Sequence, residues 1–120
     1  MERIVPTTEH RVFAFNEAQS LVPILLKLTQ MSQSKVNELI HQREVYQITQ
    51  PEKAKEIEEQ INKEVDKWHG KLRRLGVIPK GVWLADFDNG EGYYCWKYPE
   101  IRIKFFHGYK DGFTGRKAIQ

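Results

Sequence analysis

The hydrophobic period of the sequence changes from about 3.5 residues to about two between residues 75 and 82. Before the change, apolar side chains recur at intervals of three and four, at Ala54, Ile57, Ile61, Val65, Trp68, Leu72 and Leu75. After it, short apolar segments are separated by turn residues, at 82–87, 93–98 and 101–107. The first pattern is typical of a helix and the second of strands. The sequence therefore predicts an α+β fold, in which a long antiparallel helical hairpin precedes a small three-stranded antiparallel sheet.

Local signals indicate where the two helices begin and end. Asn16 is the expected N-cap of the first helix, Pro51 suits the first position of the second, and Gly76 is a natural C-cap. The short joint before Pro51 predicts antiparallel helices. We expect one domain over residues 1–120, with a helical hairpin at 16–76, a β-meander at 81–107 and a glycine-rich tail loop at 108–120.

Composition limits the classes to which the chain can belong. A hydrophobic fraction of 40% with 12% aromatic residues predicts a folded chain. Apolar runs are shorter than the ~20 residues of a membrane span, and the first residues lack the apolar core of a signal peptide. With a single cysteine, we expect a cytoplasmic protein that has no internal disulfide and no membrane contact. Residues 71–120 carry ten basic and five acidic side chains, which weakly favours anionic partners.

The pairing of the last two strands decides which side chains share a face. A two-residue turn at 99–100 would pair Tyr94 with Phe105 and place Trp96 and His107 on one face of the sheet. If Phe87 pairs with Tyr93 across the longer turn, Asp86 joins this face from the first strand. This face is the more apolar one, so we assign it to the helices. The opposite face then holds Cys95, Lys97, Arg102, Lys104 and Phe106. In this register Cys95 and His107 point apart and cannot form a nucleophile–base pair.

Asp86 and His107 remain as candidates for a binding site. Both would lie where the core meets the final loop, and Arg116 could fold back to bind an anion. The alternative is structural: His107 ends its strand, Asp86 accepts backbone hydrogen bonds, and Arg116 is an exposed tail residue. The histidines show no metal-ligand spacing, so the sequence predicts neither a metal nor a cofactor.

The motifs FNEAQSLVP, GVWLADF, CWKYPE, FFH and GFTGR resemble those of the domain-of-unknown-function family numbered 2203. The resemblance covers nearly the whole chain and implies a small bacterial cytosolic protein of helical hairpin plus sheet, with no established activity. Three positions depart from the family pattern: Asn16 stands where the family often has a glutamate, Phe106 replaces a tryptophan, and Gly108 replaces a carboxylate. The matching motif positions are Asp86, Trp96, Glu100, His107, Gly112, Gly115 and Arg116. Among them, Asp86, Trp96, His107 and Arg116 are our candidate ligand-binding residues, and no catalytic residue is assigned.

Three functions fit the sequence to different degrees. The regular stripe of the second helix favours a non-catalytic interaction module, a homodimer formed through the helical hairpin. The alternative is a protein or enzyme that binds a small, anionic molecule around Asp86, His107 and Arg116. Binding of nucleic acid through Lys97, Arg102 and Lys104, with Tyr93 and Phe106, is the least favoured, because no RNA-binding motif accompanies them.

Overall fold

The computed structural model describes residues 11–119. Two helices form the predicted hairpin: α1 spans Phe15–Tyr46 and α2 spans Pro51–Arg74. Helix α1 begins one residue before the expected cap Asn16, because the Glu17 carboxylate accepts a hydrogen bond from the Ala14 N–H at 2.8 Å. None of the helices in this part of the chain combines the length and apolar character that a membrane span requires.

The end of α2 follows the predicted glycine cap. The Val77 N–H donates to the Leu72 carbonyl and the Gly76 N–H donates to the Arg73 carbonyl, which is the hydrogen-bond pattern of a Schellman motif. Gly76 has a φ of 83°, in the left-handed region. A Cβ at this position would lie 2.5 Å from the Arg11 side chain, so glycine is needed for close approach as well as for conformation.

Five short strands form one antiparallel sheet in chain order, rather than the three that we expected. They are β1 (Ile78–Pro79), β2 (Leu84–Asp88), β3 (Tyr93–Lys97), β4 (Phe105–His107) and β5 (Lys117–Ala118). The edge strands β1 and β5 have two residues each and are too short to show an alternating pattern. The predicted tail loop therefore contains an edge strand, and also a 3₁₀ turn at Phe113–Gly115.

The predicted register is wrong by one residue on both sides of β3. Tyr94 pairs with Phe106 instead of Phe105, and with Phe87, which we had paired with Tyr93. Trp96 keeps its predicted place against the helices, but the faces of β2 and β4 are reversed because side chains alternate along a strand. The helix side of the sheet therefore receives Ala85 and Phe87, and Asp86 and His107 lie on the other face.

The segment between β3 and β4 explains the shift of the second pairing. Glu100 closes a turn by donating its N–H to the Lys97 carbonyl, but strand pairing does not resume there. Instead Ile103 leaves the sheet and is buried in the core, where its N–H donates to Gln19 Oε1 at 2.8 Å. Pairing starts again only at Phe105, and the tight two-residue turn that we expected does not form.

The core has two parts. Side chains of both helices and the sheet form the larger one, which contains Phe13, Ala18, Val22, Leu25, Trp68, Leu72, Val77, Ala85, Phe87, Trp96 and Ile103. The smaller part lies within the hairpin and contains Val36, Leu39, Ile57 and Ile61. Polar pairs lie between the two along α1: the Trp68 indole N–H donates to Thr29 Oγ1, and the Ser32 hydroxyl donates to Glu64, both at 2.9 Å.

Candidate functional site

Three neighbouring strands bring Asp86, Cys95 and His107 together on the sheet face opposite the helices. Asp86 on β2 pairs with Cys95 on β3, and Cys95 pairs with Phe105 on β4, two residues before His107. The three residues are buried, with exposed fractions of 3%, 2% and 4%. Because the register differs from the predicted one, Cys95 and His107 share a face after all. The expected association of Asp86 with His107 is found, but on the other side of the sheet.

The donor atoms of the three side chains form a compact group. One Asp86 carboxylate oxygen, Cys95 Sγ and a His107 ring nitrogen all lie within 4.8 Å of one another. His107 Nε2 is 3.1 Å from Asp86 Oδ1. A carboxylate, a thiol and an imidazole are three types of side chain that bind transition metals or transfer protons. We refer to these three residues as the triad.

A backbone contact fixes the protonation pattern of His107. Its Nδ1 lies 2.9 Å from the Gly108 carbonyl oxygen, which can only accept a hydrogen bond. Nδ1 therefore carries a proton, and in the neutral ring Nε2 presents its lone pair to Asp86. A proton must then lie between Nε2 and Asp86 Oδ1, because two lone pairs at this distance would repel each other.

The environment of the triad raises the pKa of both of its acidic groups, the Asp86 carboxyl and the Cys95 thiol. Burial raises the pKa of the Asp86 carboxyl, although the neighbouring His107 and Lys80 favour the ionised form. Burial, together with the negative charge of Asp86, raises the pKa of the Cys95 thiol to about 11. At neutral pH the thiol is therefore protonated, so the site lacks the thiolate that a cysteine nucleophile needs.

A small cavity of about 100 Å³ adjoins the triad. Apart from the triad, its lining comprises Lys80, Leu84, Tyr93, Tyr109, Asp111, Gly112 and Phe113. The segment after β4 forms one side of the cavity and is tied to the sheet by polar contacts. The Tyr109 hydroxyl donates to Asp88 Oδ1 at 2.7 Å, and Asp111 accepts the Gly108 N–H at 3.1 Å.

Arg116 folds back onto the sheet, but its charge is already paired. Its guanidinium donates to both carboxylate oxygens of Glu100, at 3.3 and 3.0 Å. The same group stacks over the rings of Phe105 and Phe113, at 3.9 and 4.4 Å from their centroids, and Nη1 lies 4.0 Å from Cys95 Sγ. Arg116 therefore holds the C-terminal segment over the triad, and its partner is Glu100, which lies in the segment where we expected the two-residue turn.

Trp96 does not belong to the site. It is fully buried on the helix side of the sheet, and its indole N–H donates to the Glu100 carbonyl at 2.7 Å. The aromatic residues suggested for nucleic-acid binding, Tyr93 and Phe106, lie on opposite faces of the sheet. Tyr93 pairs with His107 and lines the cavity, whereas the side chain of Phe106, the residue before His107, points to the other face.

Sequence reasoning missed Cys95 and Lys80 as site residues. For Cys95 the missing signal was the register, which depends on the turn at 89–92 between β2 and β3 and on the path of residues 98–104 between β3 and β4. Lys80 precedes β2 and lines the cavity next to Asp86, and nothing in its sequence context distinguishes it from other surface lysines.

A sequence model of the family described as "Uncharacterized conserved protein (DUF2203)" matches residues 11–119. The chain belongs to this family. The matched region of the DUF2203 chain contains the triad, the cavity lining and the Glu100–Arg116 pair. Neither the curated proteins nor the solved structures contain a significant match to the chain.

Proposed function

We propose that this protein binds a small ligand in the cavity beside the triad. The buried Asp86–His107 pair at the cavity wall is the observation that carries the proposal. Burying a carboxyl and an imidazole is costly, and two apolar residues would pack the strands together without that cost. Polar groups of this kind on the wall of a cavity are characteristic of binding sites.

The size and charge of the cavity restrict the ligand. Its volume of about 100 Å³ is well below the ~300–1,000 Å³ of sites for drug-sized molecules, so it accommodates only a few non-hydrogen atoms. Lys80 supplies the cationic group of the described lining, and its ammonium group lies 5.7 Å from the centroid of the Tyr93 ring. The Asp111 carboxylate on the same lining already accepts the Gly108 N–H. A small anion such as a carboxylate or a phosphate is therefore the favoured ligand, with Lys80 in the role that we expected of Arg116. The free, buried thiol of Cys95 suits a reducing compartment such as the cytoplasm.

A thermal-denaturation screen tests this function. Small carboxylates and phosphates are added to the wild type, to Lys80→Ala and to His107→Gln, once with a chelator and once with zinc present. A ligand at about 100 times its Kd stabilises the fold by about 2.7 kcal/mol, or roughly 10 °C for a domain of this size. We expect such a shift in the wild type and a much smaller one in both variants. If no compound shifts the melting temperature under either condition, the proposed function is wrong.

Self-association through the hairpin is a second candidate, favoured by one observation on α1. Ile24 and Met31 lie two turns apart and are 46% and 58% exposed, with the half-buried Leu28 between them. They form a short apolar stripe beside the buried one. By contrast, the regular stripe of α2 that motivated the dimer packs within the chain, where Ala54, Ile57, Ile61, Trp68 and Leu72 are buried.

Light scattering at about 100 µM protein tests this second candidate. We expect a dimer in the wild type and a monomer in the double variant I24E/M31E. Ile48→Glu is a matched control, because Ile48 is exposed in the connection between α1 and α2 and lies away from the stripe. A monomeric wild type would rule out this function.

A further inference from the structure

We propose that Asp86, Cys95 and His107 bind one divalent transition-metal ion of the zinc class. The inference rests on the proposed function, because it names the first occupant of that same site. Its basis is the convergence of three chemically different donors that are within 4.8 Å of one another and buried on three adjacent strands.

The spacing of the donors is close to that of a tetrahedral zinc site. With Zn–S near 2.3 Å and Zn–N and Zn–O near 2.0–2.1 Å, donors in such a site are about 3.3–3.8 Å apart. The Asp86 Oδ1–His107 Nε2 distance is already 3.1 Å. Side-chain movements on the order of 1 Å therefore suffice to place all three donors around one ion.

The imidazole is oriented as a metal ligand. Its Nδ1–H donates to the Gly108 carbonyl at 2.9 Å, so the lone pair of Nε2 is directed at the other two donors. A hydrogen bond from the second nitrogen to a backbone carbonyl is the usual support of a ligating histidine. The ion would take the place of the proton that must otherwise separate Nε2 from Asp86 Oδ1.

Charge balance favours a divalent ion. A metal-bound cysteine is a thiolate and a metal-bound aspartate is a carboxylate, so Cys95 and Asp86 together would neutralise two positive charges. Arg116 is paired with Glu100 and adds no net charge to the site. A thiolate and an imidazole are poor ligands for magnesium or calcium, so the donor set favours zinc or a similar metal.

The cavity provides room for a fourth ligand. Structural zinc sites are closed by four protein ligands, whereas sites that act on other molecules keep one position open. Among residues 11–119, the triad supplies three donors, and the cavity of about 100 Å³ adjoins them. The open position would hold water or the small anion of the proposed function, next to Lys80.

Equilibrium dialysis against zinc, followed by elemental analysis, tests the inference on the untagged chain. We expect one zinc per wild-type chain. In Cys95→Ser and His107→Gln, the affinity for zinc should fall by a factor of about 100 or more. His41→Gln is the control, because His41 is an exposed histidine on α1, and it should bind zinc as the wild type does. Circular dichroism in chelator establishes that each variant is folded. Asp86→Asn, which keeps the size of the side chain, provides a third ligand variant.

The two proposals fail in different ways. If the wild type binds no zinc, or if the folded triad variants bind zinc as well as the wild type does, the metal inference is wrong. In that case an anion that shifts the melting temperature in the presence of chelator would still support the proposed function. If zinc binds at the triad but no anion shifts the melting temperature, the metal site is supported and the anion is not.

Discussion

Asp86 and Cys95 lie directly opposite each other on β2 and β3, and Arg116 reaches across the next strand to within 4.0 Å of the same cysteine. The site is therefore a product of strand pairing and of one returning segment, not of a contiguous motif. Different contacts hold its side chains in position: Asp86 contacts His107, and Arg116 pairs with Glu100. We therefore make separate predictions for the triad, the returning segment and the hairpin.

Removing the Asp86 side chain should destabilise the fold much more than making it neutral. Asp86→Ala leaves His107 Nε2 buried without its partner, at a cost of about 1–3 kcal/mol in the free energy of unfolding. In Asp86→Asn the amide can donate to Nε2, and no buried carboxyl remains, so the loss should stay below about 1 kcal/mol. Urea denaturation in chelator measures both values. Equal losses would show that the hydrogen bond to His107 does not stabilise the fold.

Cys95 should react slowly with alkylating reagents in the native protein. The thiol is buried, and its raised pKa of about 11 leaves roughly one molecule in a thousand as thiolate at pH 8. Mass spectrometry after treatment with iodoacetamide, in the presence of chelator, follows the reaction. Complete modification within the time that a denatured sample needs would contradict the burial of Cys95.

Breaking the Glu100–Arg116 ion pair should expose Cys95. Arg116→Ala removes two charged hydrogen bonds and two ring contacts that hold the C-terminal segment on the sheet. If local opening becomes easier by about 1.4 kcal/mol, alkylation of Cys95 accelerates about tenfold. Lys117→Ala is the matched control, since the neighbouring Lys117 is exposed. Equal rates in the two variants would mean that Arg116 does not close this segment.

The stability of the hairpin should depend on the Thr29 hydroxyl, which accepts the hydrogen bond of the Trp68 indole. Thr29→Val preserves the shape of the side chain but leaves the buried Trp68 indole N–H without an acceptor. We expect a loss of about 1–3 kcal/mol in the free energy of unfolding. Thr29→Ser keeps the hydroxyl and should lose less. Denaturation curves of the two variants decide this, and a Thr29→Val variant as stable as the wild type would be inconsistent with the hydrogen bond.

The helices could be predicted closely because the apolar positions of a helix repeat many times along it, so that one irregular position does not hide the pattern. Six of the seven positions of the α2 stripe lie within Pro51–Arg74, and Gly76 ends the helix as expected. The start of α1 was misplaced because the N-cap, Ala14, has no capping side chain, and its N–H is bound instead by the Glu17 carboxylate three residues on. The edge strands were missed because two residues carry no period.

The site could be predicted only in part, because the faces of a sheet depend on its register. Asp86 and His107 remained together since both neighbours of β3 shifted by one residue, and the two errors cancelled for this pair. For Cys95 the errors did not cancel, because β3 keeps its predicted face while Asp86 and His107 change theirs. Between β3 and β4, the Ile103 N–H donates to Gln19, 84 positions away in sequence, and no local pattern predicts this contact.

Cobalt substitution tests the central claim most directly, because cobalt(II) occupies zinc sites and its thiolate complexes absorb strongly in the near ultraviolet. Adding cobalt(II) to the reduced, untagged wild type should produce this thiolate-to-metal band, saturating at one ion per chain. Cys95→Ser should lack the band, and His41→Gln should retain it. A folded wild type that shows no band with cobalt(II) would contradict the assignment of Asp86, Cys95 and His107 as a metal site.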